Sequence, residues 1–360
     1  MLIIEDQLPT IELYQKLSVG SGLTFLSPAE IGLGDFSATQ LESVEEQLAK
    51  YLREQIATHA IDLVLLDTDL SRGRELQTHS SYKSALRELG MPVCRYQKGG
   101  TSSSLEQLPQ LQRTIRDGAS AIWIPKALVS GNRTAELVPR LMSISQGFKD
   151  IEAALQAQPQ LLEGRHSPTE VLASVLGDPN LSDEFLGYAA QNLVYFAKPE
   201  VDYEGYQISE MQRYATQLGY WLFNYIITFP GPILRTDAAL AYLNVHPNEL
   251  ASHPELLDII APAKYSGPFK ELEGYYWRFR LIRILDENQG DIGNHPIIVG
   301  KAVQRVDPEN LGALAYICMV SGKPIAEGQA AVSPDWVPSG ASEAKIDETV
   351  LEELGPLAGI

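Results

Sequence analysis

IDLVLLDTDLSRG (61–73) is the stretch on which the fold of the first third turns. Its apolar residues run almost without interruption into Asp67. Such a run, unlike an alternating one, marks a strand covered on both faces, as in a parallel sheet. Similar runs flank it: MLIIE (1–5), LTFL (23–26), PVCRY (92–96) and AIWIP (121–125). Between them lie helical patterns at 9–17, 38–56, 82–89 and 104–118. In 38–56, Leu41, Val44, Leu48, Leu52 and Ile56 repeat at the three-to-four spacing of an amphipathic helix. Five strands alternating with helices predict an α/β doubly wound, five-stranded parallel sheet.

In such a sheet the reactive groups gather where the strands end. Glu5 and Asp6 close the first run, Asp67 closes the third and Lys126 follows the fifth. Three carboxylates at one sheet edge repel one another unless a cation bridges them. Hard oxygen ligands at an open edge suit Mg²⁺, and a lysine beside them suits phosphoryl oxygens.

These pieces, in this order, resemble the receiver domain of two-component response regulators. LIIEDQLPTIELYQKL is similar to the family's first strand and helix, LVLLDTDLSRG to its phosphoacceptor strand, GMPVCRYQ to its fourth strand and GASAIWIPKAL to its fifth. The resemblance implies a flavodoxin-like fold over residues 1–133. It makes Asp67 the phosphoacceptor and Glu5, Asp6, Asp67 and the Asp69 backbone carbonyl the Mg²⁺ ligands. Lys126 becomes the phosphate-pairing lysine and Trp123 the switch aromatic. The switch hydroxyl position falls on Gln97, which is no small alcohol; Thr101 and Ser102–Ser104 follow it. Ser71 and Ala127 stand where the family carries prolines. Histidine kinases or other signalling proteins are the implied partners.

Residues 134–167 read as a connector. An apolar stripe at Leu137, Leu141, Ile144, Phe148, Ile151 and Leu155 predicts a long helix, either buried or serving as a signalling helix and homodimer seam. QPQLLEGRHSP (158–168) reads as a linker. Residues 168–360 read as an α+β output domain: helical to about 260, then β-type runs YYWRFRLIRIL (275–285), HPIIVGKAV (295–303) and LGALAYICMV (311–320) forming an antiparallel sheet. Taken as a strand, the first run places Arg278 and Arg280 on one face, either as an anion site or as a solvated edge.

Charge narrows the functions. Of the 28 Lys/Arg and 46 Asp/Glu, residues 1–150 hold 15 and 18, so residues 151–360 hold 13 and 28. An acidic output half disfavours DNA, whose phosphates need a clustered basic surface. No stretch approaches the ~20 apolar residues of a membrane span. MLIIEDQ has acids where a secretory signal is basic, and Cys94 and Cys318 sit apart in apolar runs, which together suggest a reducing cytoplasm. The expected function is receiver-controlled signalling through protein contacts, by phosphorylation of Asp67. The alternatives are a pseudo-receiver that only docks partners and a receiver-regulated enzyme.

Overall fold

A computed structural model describes residues 1–33, 36, 43–70, 78–99, 107–163, 166–188 and 210–355. Two compact units emerge, both assembled from separate stretches of chain. The first takes its described residues from 1–102, 117–166 and 195–220, the second from 103–116, 167–194 and 221–355. Relative to the boundary drawn from sequence near residue 168, the segment ending at Arg116 belongs to the second unit and the segment ending at Tyr220 to the first.

The first unit is built on a four-stranded parallel sheet. Its strands and helices run β1 Leu2–Ile4, α1 Leu8–Leu17, α2 Val44–Thr58, β2 Val64–Asp67, α3 His79–Glu88, β3 Val93–Tyr96, β4 Ile122–Trp123, α5 Lys126–Val129 and α6 Leu137–Ala157; α4 Gln107–Asp117, between β3 and β4 in the chain, belongs to the second unit as far as Arg116. The strands lie in the order β1-β2-β3-β4, with Ile4 opposite Leu66, Asp67 opposite Tyr96 and Arg95 opposite Trp123. The stretch read as a second strand, LTFL, contributes one parallel bridge, Leu2 to Leu26, on the free side of β1. Ile3 N–H donates to the Leu26 carbonyl and Leu26 N–H to that of Met1, both at 2.9 Å. Pairing stops there because Pro28 has no N–H and Ser27 turns onto Glu30 through its N–H and hydroxyl.

Alternation along the strands explains why these runs are apolar throughout. Leu2, Ile4, Val64 and Leu66 pack with Leu48, Leu52, Tyr82 and Leu86 of α2 and α3. Ile3 and Leu65 point the opposite way and are buried too, so both faces are covered. Each such Leu or Ile contributes roughly 1.5–3 kcal/mol by leaving water. The α6 stripe is spent in the same manner. Leu137, Leu141, Ile144, Phe148, Ile151 and Leu155 are buried, Phe148 meets Tyr220 edge-on, and Lys149 pairs with Asp62. Of the two readings of that stripe, this is the buried helix; the seam it would have offered a second copy is covered by its own chain.

The second unit contains α7 Pro168–Val175, α8 Leu181–Leu186, the end of α9 Glu210–Trp221, β5 Ile233–Arg235, α10 Thr236–Tyr242, α11 Leu256–Ile260, β6 Tyr275–Trp277, α12 Arg278–Glu287, β7 Ala315–Ile317, β8 Pro324–Ala326 and α13 Glu348–Leu354. A single π-helical turn, Leu222–Ile227, follows α9. The β runs expected here are only partly strands. Two antiparallel ribbons form, β5-β6 and β7-β8. YYW is β6, but RFRLIRILDE is α12: Leu281 and Ile284, three apart, carry its buried face, a helical spacing inside a run that composition alone had cast as strand. HPIIVGKAV holds turns around Ile298, and Ala238–Leu243 of the α10 region are buried. Cys94 and Cys318 are free, buried thiols. No described helix is long and apolar enough to cross a membrane.

Candidate acidic pocket at the sheet edge

Parallel pairing puts the residues that follow Ile4, Leu66 and Arg95 side by side at the carboxyl edge of the sheet. Glu5, Asp67 and Tyr96 meet there because each ends, or immediately follows, an adjacent strand. Glu5 is 4% exposed and Asp67 0%. Asp6 is exposed. Ligand atoms of Glu5, Asp6 and Asp67 all lie within 4.8 Å of one another.

Glu5 is held from every side. Its Oε1 accepts the N–H groups of Asp6 at 3.0 Å and Gln7 at 2.8 Å, which fixes the turn into α1. Its Oε2 accepts the Tyr96 hydroxyl at 2.5 Å. The Lys98 ammonium sits between the two oxygens, 2.8 Å from Oε1 and 2.7 Å from Oε2, and 3.3 Å from Asp67 Oδ2. Asp67 Oδ1 accepts Asp69 N–H at 3.0 Å, while its Oδ2 faces Lys98 without a directed hydrogen bond. Thr68 ties the end of β2 to β3 through its N–H at 3.0 Å and hydroxyl at 3.1 Å, both donated to the Tyr96 carbonyl.

The electrostatics follow. Burial raises the Asp67 carboxyl to about 6; the Asp69 N–H opposes this, the Glu5 charge adds to it, and Lys98 offsets part. Burial, then the Glu5 charge, pushes the Tyr96 and Tyr14 hydroxyls well above the usual tyrosine value, so both remain donors. Tyr14 in turn packs edge-on to Tyr96 and donates to the Val129 carbonyl, linking α1 and α5 to the pocket wall.

Of the residues chosen from sequence, the fold gathers Glu5, Asp6 and Asp67. Asp69 enters through its N–H. Trp123 is buried on β4 beside Arg95, and Gln97 is half-buried beyond the end of β3. Lys126 opens α5; a methyl group placed on Gly99 would lie 3.7 Å from its ammonium nitrogen. Among the described residues, the ion pair to Asp67 comes from Lys98 and none from Lys126. Thr101, Ser71 and Ser102–Ser104 lie outside the described residues. Lys98 and Tyr96 were missed by sequence reading. The available signal was parity: Tyr96 and Lys98 are two apart, hence on one side of the strand's continuation.

A divalent ion does not fit this arrangement as it stands. A carboxylate offers about four lone-pair directions, and four donor groups already converge on Glu5. The space between Glu5 and Asp67 holds an ammonium. In the second unit, Arg278 is no anion site either: it donates to Glu184 at 2.8 Å, Glu343 at 2.9 Å and Ser342 at 2.7 Å. Compared with known proteins, the chain matches no family model, no curated protein and no solved structure.

Proposed function

We propose that this chain is a receiver-type signalling protein in which the state of Asp67 controls the C-terminal half through protein contacts. The observation that carries the reading is the convergence of Glu5, Asp67 and a lysine ammonium at the carboxyl edge of a parallel sheet, with Asp67 Oδ2 the oxygen left without a directed hydrogen bond. The finer assignment, a flavodoxin-like receiver of five strands, draws support from the parallel bridge at Leu26, a fourth pairing beside β1 in the place of a fifth strand.

In this reading Asp67 Oδ2 attacks the phosphorus of a donor. The new O–P bond forms as the bond to the leaving group breaks, and the electron pair departs with that group. The Lys98 ammonium neutralises the transferred oxygens, with Lys126 at the start of α5. A histidine kinase or another phosphorylated signalling protein is the donor class. The acidic C-terminal half favours a protein target over DNA.

Treatment with acetyl phosphate, with and without Mg²⁺, tests this directly. The expected product is a hydroxylamine-labile adduct on wild type and none on Asp67→Asn. Absence of the adduct, or an equal adduct in the variant, ends the phosphorylation reading. The second reading, a pseudo-receiver that serves as a docking platform, would then stand; the complete burial of Asp67 favours it.

A further inference from the structure

Two buried carboxylates facing one another need a cation, and the chain supplies its own. Lys98 contacts both oxygens of Glu5 and the outer oxygen of Asp67 from a side chain that keeps 21% of its surface in water, while Glu5 and Asp67 keep almost none. We propose that Lys98 is a tethered counter-ion that occupies the cation position of the pocket and holds it against divalent ions. The inference deepens the receiver reading of the same pocket, but it concerns the metal and not the phosphoryl group.

The asymmetry of exposure sets the mechanism. An ammonium at the mouth can swing into solvent at little desolvation cost. Glu5 and Asp67 cannot follow it, and their departure-state charges would sit buried and unbalanced. Lys98 therefore leaves only as another cation enters. A divalent ion would balance both carboxylates, against the single charge that Lys98 provides, and exposed Asp6 stands at the entrance with a further ligand oxygen. Metal and lysine are then mutually exclusive, so any metal affinity is reduced by the free energy needed to expel the ammonium. Gly99, directly after Lys98, has φ +125, backbone that side-chain-bearing residues rarely adopt, and it turns the chain away from β3 just past the lysine.

The test uses the full chain without any phosphodonor and Mn²⁺ alone as probe, read by the electron paramagnetic resonance of free Mn²⁺. Lys98→Gln should bind one Mn²⁺ about tenfold or more tighter than wild type, since removing a unit charge a few ångströms away changes the binding energy by at least that factor. Lys98→Arg should stay as weak as wild type. Adding Asp67→Asn to Lys98→Gln should abolish the tight site. Equal affinity of Lys98→Gln and wild type would overturn the proposal. A second measurement needs no variant: amine acetylation of wild type, followed by mass spectrometry. Lys98 should react slowly beside exposed Lys50 in metal-free protein. Comparable rates would overturn the proposal even if the substitutions fail to fold. Because no phosphoryl transfer is involved, either result is independent of whether Asp67 forms an adduct.

Discussion

Two charge clusters, one in each unit, share a balance of one cation to two carboxylates and have opposite character. In the first unit, one lysine serves Glu5 and Asp67. In the second, one arginine serves Glu184 and Glu343. The guanidinium reaches both acids with short, directed contacts and donates a third to the Ser342 hydroxyl, leaving its Nε unused. Burial pulls Arg278 down, but Glu343 and Glu184 more than reverse this and leave it raised. The fork geometry of arginine lets a single cation satisfy two carboxylates. Lysine, a point charge on a flexible stem, satisfies Glu5 and offsets only part of the burial that lifts Asp67 to about 6. The lesson is that the cluster in which each acid receives a directed hydrogen bond reads as architecture. The cluster with a residual mismatch, at the edge where a parallel sheet opens, has free energy left to exchange with a ligand.

That contrast can be broken most forcefully at Arg278. Arg278→Met should cost about 3 kcal/mol in urea unfolding, because it strands the buried carboxylate of Glu343. Adding Glu343→Leu should return much of that loss. A cost below about 1 kcal/mol for the single change would remove the architectural half of the comparison.

Asn244, elsewhere in the second unit, comes next. It has φ 57, and its side chain donates to the carbonyls of Asp307 and Asn310 and accepts the Asp307 N–H at 2.7 Å. Asn244→Ala should destabilise by roughly 2 kcal/mol or more, and Asn244→Gly by less, since glycine keeps the left-handed backbone. Equal losses would show that the hydrogen bonds carry the whole effect.

Asp67 tests the other half and has the opposite sign. Its folded value near 6 stands above the ~3.9 of an unfolded aspartate, so ionising it opposes folding. Asp67→Asn should therefore stabilise the protein at pH 7.5, by an amount on the order of 2 kcal/mol. This advantage should shrink as pH falls through 6 and vanish below about 4, where wild type is protonated in both states. Melting temperatures across that range would read it; a constant difference would contradict the assigned shift.

The smallest effect is expected at Arg133, which pairs with Glu136 on the open surface. Arg133→Ala should change stability by no more than about 0.5 kcal/mol. A larger loss there would mean that directed geometry alone, without burial, distinguishes these clusters.

Much of the first unit was legible because both-face burial forces continuous apolar runs. MLIIE, IDLVLLD, PVCRY and AIWIP read as strands for the same reason that β1–β4 bury every residue. LTFL was over-read: its residues suit a strand, but Pro28 and the Ser27–Glu30 turn limit it to one bridge. The second unit was harder. YYWRFRLIRIL satisfies strand composition at one end and helical spacing at the other, and only packing of Leu281 and Ile284 decides where one gives way.

The sequence by itself determined that Glu5 and Asp67 would stand at strand ends, since each directly follows an apolar run. Tertiary structure alone decided which cation they meet. Lysines at 98 and 126 both follow strands, and their spacing does not rank them. The register that sets Asp67 opposite Tyr96 brings the chain two residues later across Glu5, and so puts Lys98 in the pocket. A contact of that kind depends on distances between strands far apart in sequence, which no local pattern encodes.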